Sequence, residues 1–172
     1  DHLYVAWKTL HRDLLSNTGA DPWQGTFKTG GALDLMLSTT GNAERHPKPG
    51  DQRILISQVN GKIRAIHYEQ RSTREGHPGE IASPNRTVPF DYIADVSDRI
   101  RVAEGVAELP YQDPNVVFRS GVQYRKGTSL EVAIPLNLLA LEDSLKSFTG
   151  DVGILLGNGT RTIKRLYWSN KN

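Results

Sequence analysis

The sequence predicts an all-β fold: a two-sheet antiparallel β-sandwich of jelly-roll or immunoglobulin-like kind, with one short helix. Three observations predict it. Apolar residues recur mostly with a period of two, Gly-containing turns separate the alternating runs, and helical spacing emerges at a single place.

In chain order, Leu3, Val5 and Trp7 alternate with Tyr4, Ala6 and Lys8, which predicts a strand with Trp7 in the core. Leu33, Leu35 and Leu37 alternate with Asp34, Met36 and Ser38 and predict another. Arg53 to Val59 and Lys62 to Glu69 flank Asn60-Gly61, a dipeptide suited to the positive φ angles of a two-residue hairpin turn. Ile100 to Ala107 reads as a strand. Val116 to Tyr124 and Ser129 to Ile134 flank Arg125-Lys126-Gly127 and predict a second hairpin. Asp151 to Leu156 and Thr162 to Trp168 flank Gly157-Asn158-Gly159 and predict a third. The helix is expected after Pro135, which suits a first helical position, with Leu136, Leu139 and Ala140 following at helical spacing. Asn17 to Thr29 and Gln70 to Pro89, rich in turn-forming residues, read as loops.

Composition narrows the function classes. The 172 residues suffice for one domain with a core, and no apolar run approaches the roughly 20 residues of a membrane-spanning helix. The 21 basic and 19 acidic residues leave a net charge of +2 with the signs interspersed, so neither nucleic-acid binding nor membrane insertion is expected. The opening Asp1-His2-Leu3-Tyr4 lacks the basic flank and apolar stretch of a secretory leader. Without cysteine there are no disulfides, thiolate metal sites or cysteine nucleophiles in this chain.

Catalytic signatures are missing. Gly127-Thr128-Ser129-Leu130-Glu131 lacks the second glycine of a nucleophile elbow. Gly157-Asn158-Gly159-Thr160 lacks the third glycine of a phosphate loop and leads into a strand, so it reads as a turn. His2, His11, His46, His67 and His77 show no zinc spacing. Glu69, Glu104, Glu108 and Glu131 could supply a glycosidase dyad, but their plainer reading is as solvent-facing strand residues.

Aromatic residues carry the functional expectation. Sugar rings present apolar C–H faces that stack on flat side chains, while their hydroxyls need polar partners. Trp23 follows Asp21-Pro22 in a predicted loop, with Asn17, Asp21, Gln24 and Lys28 around it in sequence. Tyr111 follows Pro110 in a turn-like segment, and Trp168 closes a strand beside Ser169 and Asn170. Trp23, Trp168, Tyr111, Asn17, Asp21 and Lys28 are the expected carbohydrate contacts, against the competing reading of large aromatics as lids on the core.

Several segments resemble the family 9-like carbohydrate-binding modules, in a bacterial subgroup. They are Leu3-Tyr4-Val5-Ala6-Trp7, Asn17, Phe27-Lys28-Thr29-Gly30-Gly31-Ala32-Leu33-Asp34-Leu35 and Pro49-Gly50-Asp51-Gln52-Arg53-Ile54-Leu55-Ile56. Further along come Leu130-Glu131-Val132-Ala133-Ile134-Pro135-Leu136, Gly150-Asp151-Val152-Gly153-Ile154 and Arg165-Leu166-Tyr167-Trp168-Ser169-Asn170. The resemblance implies a β-sandwich related to the DOMON group and a non-catalytic sugar-binding role. It also implies a place in larger extracellular or periplasmic proteins, beside enzymes that act on polysaccharides. The family fold usually includes a strand before the equivalent of Asp1 and further chain after that of Asn172. Residues 1–172 are therefore read as a single module-like domain of a larger protein. Structural calcium occurs in the family, but neither its ligands nor the family's tryptophan clamp is carried over to residues here. Two alternatives compete: a polysaccharide-active hydrolase or lyase, and a haem-binding DOMON-type electron-transfer domain with Met36 paired with His67.

Overall fold

The computed structural model is a two-sheet, mainly antiparallel β-sandwich. It describes residues 1–11, 13–19, 23–39, 47–71, 80–82, 90–111, 123–141 and 148–169. In chain order the strands are β1 (His2–Thr9), β2 (Ser16–Asn17), β3 (Ala32–Ser38), β4 (Asp51–Val59), β5 (Lys62–Glu69) and β6 (Glu80–Ala82). Then come β7 (Tyr92–Asp95), β8 (Arg101–Tyr111), β9 (Gln123–Pro135), β10 (Thr149–Gly157) and β11 (Thr162–Tyr167). The smaller sheet has the order β1-β9-β8. The larger runs β11-β10-β3-β4-β5-β7-β6, with the short β2 parallel to β4.

Period-two patterning builds the core between the sheets. Leu33, Leu35 and Leu37 of β3 and Ile54 and Ile56 of β4 pack against Trp7 of β1 and Leu130, Val132 and Ile134 of β9. One polar link closes this core at an end: the Gln52 side chain donates to the carbonyl of Leu139 at 2.8 Å, and its Oε1 meets His67 Nε2 at 2.8 Å. The larger sheet is buried on its outer face as well. Ala32, Leu55, Ile66, Tyr68, Ile93 and Leu155 form a second cluster there, covered by Phe27 and Phe90. This explains the unbroken apolar run Ile54-Leu55-Ile56, whose neighbours point alternately into two different cores.

Five local expectations change. Arg125-Lys126-Gly127 does not turn: β9 runs straight through it, Gly127 opposite Ala107 and Arg125 opposite Leu109 of β8. The strand β8 continues past Ala107 to Tyr111, tolerating Pro110 because it is the edge of its sheet. The helix after Pro135 is one 3₁₀ turn, Leu136–Leu139, ended by Ala140 at φ 51°, while Pro135 itself stays extended. The predicted loop from Asn17 to Thr29 contains another 3₁₀ segment, Trp23–Lys28, and the loop from Gln70 to Pro89 contributes β6.

The other two hairpins stand. In the last, the Asn158 side-chain oxygen accepts from the backbone amides of Thr160 and Arg161 at 3.1 and 3.0 Å and shapes the turn. Between β4 and β5, Asn60 and Gly61 have φ of 51° and 74°, the left-handed pair of a type I′ turn. Gly61→Val should therefore lower stability by about 1–3 kcal/mol, because a β-branched residue is strained at positive φ. A urea denaturation midpoint that does not move would refute this.

Candidate ligand-binding face

Asp34 lies between Leu33 and Leu35 on β3, so strand alternation aims its carboxylate away from the inter-sheet core and onto the outer face. It is fully buried, where a lone carboxylate would be strongly unfavourable. Arg53 on the adjacent strand β4 meets it as a fork: Nε donates to Oδ1 at 2.8 Å and Nη2 to Oδ2 at 2.6 Å. The Tyr167 hydroxyl donates to Oδ2 at 2.6 Å. Tyr167 comes from β11, two strands away, and reaches Asp34 across Gly153 of β10. A Cβ at Gly153 would lie 2.4 Å from the Tyr167 ring, so glycine is what lets the ring cross.

Aromatic rings enclose the ion pair. The Arg53 guanidinium carbon lies 5.1 Å from the Phe27 ring centroid and 5.8 Å from that of Tyr68. Phe27 packs edge-on against Tyr68 at 6.3 Å, and Phe90 lies 6.0 Å from Tyr68 on a tilt. Burial opposes charge on Arg53, but the hydrogen bond to Asp34 and its field prevail, and the guanidinium pKa rises above its ordinary value. Burial, reinforced by the Asp34 charge, pushes the Tyr68 and Tyr167 phenols well above their usual range.

Open groups surround this buried centre. The Lys28 ammonium lies 5.3 Å from the Phe27 centroid and the Arg165 guanidinium 5.7 Å from it. Trp168 is 88% exposed, just beyond Tyr167. Its turn is held in place: its amide donates to the carbonyl of Val152 at 3.0 Å, and Ser169 bonds both carboxylate oxygens of Asp151 through its amide and hydroxyl.

The expected contacts divide. Trp168 is exposed at the end of β11, and Lys28 is exposed on the rim of the face. Asp21 and the side chains of Trp23 and Tyr111 lie outside the described residues. Asn17 is a correction. It is buried, its Nδ2 donates to the carbonyls of Thr26 and Gly31 at 2.9 and 3.2 Å, and its Oδ1 accepts from the Gly19 amide at 2.9 Å and the Thr29 hydroxyl at 2.6 Å. Both donors and both acceptor positions are used, so Asn17 braces the segment that carries Phe27 and Lys28 and has no capacity left for a ligand. Asp34, Arg53, Tyr167, Phe27 and Tyr68 were not singled out from the sequence. The readable signal was a pair of opposite charges set in apolar runs, Asp34 within Leu33 to Leu37 and Arg53 beside Ile54-Leu55-Ile56.

The alternatives fare differently. Met36 is in register with Arg53 and shares the outer face, whereas His67 is in register with Ile54 and faces the inter-sheet core. The two therefore cannot flank one haem iron. Glu104, Glu108 and Glu131 are exposed, with Glu131 on the opposite face from the other two, and Glu69 pairs with Arg71 at 2.7 Å. Among the described residues no three His, Asp or Glu side chains are grouped to hold a metal ion, and no helix is long and apolar enough to cross a membrane. No known family model, curated protein or solved structure matches the chain.

Asp34→Ala should cost about 3–5 kcal/mol by leaving Arg53 buried and unpaired, while Asp34→Ala with Arg53→Met should recover much of the loss. Equal denaturation midpoints for wild type and Asp34→Ala would contradict the pairing. Because the folded state raises both phenol pKa values, their contribution is complete below the ordinary phenol pKa of about 10 and is lost above it. The stability of Tyr167→Phe should accordingly fall less steeply above about pH 10 than that of wild type. Parallel pH profiles would rule out this linkage.

Proposed function

We propose that this domain is a non-catalytic carbohydrate-binding module that binds a poly- or oligosaccharide at the β11 edge of its larger sheet. The observation that carries the reading is the exposed Trp168. A large indole left 88% in water, on a turn whose backbone is held by Val152 and Asp151, is a flat apolar platform open to a ligand. Polar groups lie nearby along β11: the Tyr167 hydroxyl, held by Asp34, and the Arg165 guanidinium. Stacking against an apolar sugar face plus a few directed hydrogen bonds is the composition of a small-ligand site.

The resemblance to family 9-like modules supports the same reading and suggests an extracellular or periplasmic protein with linked domains. Calcium, where such modules use it, would then be structural.

A glycan array on the purified domain would identify the ligand. Trp168→Ala should weaken binding to that glycan by about 1–3 kcal/mol, from the apolar area the indole would bury. Its thermal midpoint should stay near that of wild type, since the ring supports nothing in the core. Unaltered affinity would remove Trp168 from the site.

A further inference from the structure

We infer that the saccharide bound at this edge is anionic, a uronate or a sulfated sugar, and that Lys28 and Arg165 select it. This inference rests on the carbohydrate-binding reading above and sharpens it.

Charge is the starting point. Three cations surround the Phe27 ring, at 5.1 Å for Arg53, 5.3 Å for Lys28 and 5.7 Å for Arg165. The one described carboxylate in this group is Asp34, and it is bonded to Arg53 and Tyr167. Among the described residues, Lys28 and Arg165 form no ion pair. The next acid along the sheet, Asp151, is occupied by Ser169. From Val152 to Asn172 the chain carries Arg161, Lys164, Arg165 and Lys171 and no acidic residue, in a protein with nearly equal totals of both signs. The charges that look interspersed over the whole chain are thus segregated at its last hairpin.

Cations gathered on one ring repel one another, and that repulsion is relieved when an anion arrives. The position suits a sugar acid. Arg165 and Tyr167 share the outer face of β11, in register with Leu155 and Gly153 of β10, and Trp168 follows at the strand's end opposite Val152, on the other side of this edge strand by alternation. At the ordinary rise per residue, Arg165 and Trp168 are roughly 10 Å apart along the chain. A short run of sugars crossing this edge could therefore stack on the indole and present a carboxylate or sulfate to the fork of Arg165, with Lys28 behind it. A nucleic-acid backbone presents a charge at every nucleotide and is held by many cations in a row. Two exposed cations near one exposed platform fit isolated charges on a sugar chain better.

Affinity electrophoresis of the intact chain tests this, with a neutral xylan, polygalacturonate, a sulfated galactan and a single-stranded oligonucleotide as probes, each at low and high salt. Polygalacturonate or the sulfated galactan should bind, more weakly as salt rises, and the difference between them identifies carboxylate or sulfate. Lys28→Gln and Arg165→Gln should each weaken that binding about threefold, as expected for exposed charge pairs, without shifting the thermal midpoint. Salt-sensitive binding that ignores both substitutions overturns the assignment of these residues. Binding to xylan alone, insensitive to salt and to both substitutions but weakened by Trp168→Ala, overturns the anionic ligand and leaves the sugar-binding reading standing. Binding to the oligonucleotide only, or to none of the probes, overturns both.

Discussion

The bidentate bond between Asp34 and Arg53 is the constraint around which the outer face is arranged. A charged pair buried within an antiparallel sheet must be sealed from above and hydrogen-bonded from the sides, or its desolvation cost is not offset. Phe27, Tyr68 and Phe90 provide the seal, and the Tyr167 hydroxyl provides the side bond. Each comes from a different stretch of the chain. Phe27 lies on a 3₁₀ segment, Tyr68 on β5, Phe90 just ahead of β7 and Tyr167 on β11. One ion pair thus gathers side chains from four separate stretches of the chain. The exposed groups inherit that order: Lys28 is next to Phe27, and Trp168 is next to Tyr167.

Much of the architecture was legible in the sequence because it rests on local rules. Asn60-Gly61 announces its hairpin through backbone conformation, and Leu33, Leu35 and Leu37 announce their shared face through strand alternation. What failed was also physical. Arg125-Lys126-Gly127 resembles a turn by composition, yet its backbone groups continue the ladder with β8, a long-range fact no local pattern contains. The 3₁₀ segment at Trp23–Lys28 has no apolar period of its own, and its place follows from Phe27 docking on the sheet.

The candidate site was less legible, for a related reason. Alternation assigns Asp34 to the face opposite its leucine neighbours but does not say whether that face meets water. The run Ile54-Leu55-Ile56 did hold that information, since a strand apolar on both sides belongs to a sheet covered on both sides. On such a sheet, Asp34 and Arg53 have to find each other. Asn17 shows the reverse case. Its position in a turn-rich, polar segment suggested a ligand contact, whereas its amide is saturated by the loop it braces.

The register of the smaller sheet has a kinetic consequence. β1 pairs with β9 alone, Leu3 opposite Ile134 and Trp7 opposite Leu130, so its partner is separated from it by the strands β2 to β8. During synthesis, the inner faces of β3, β4 and β5 are complete long before β9 emerges to cover them. Contacts between such distant residues are slow to form, because loop closure comes before the reward of burial. The nascent chain therefore passes through a stage in which Leu33, Leu35, Ile54 and Ile56 are paired within their sheet but bare on one side. Such surfaces invite association with other chains. The longest loop closure among the described strand pairings is thus the meeting of the first strand with β9, and that step sets how long the inner face of the larger sheet stays open.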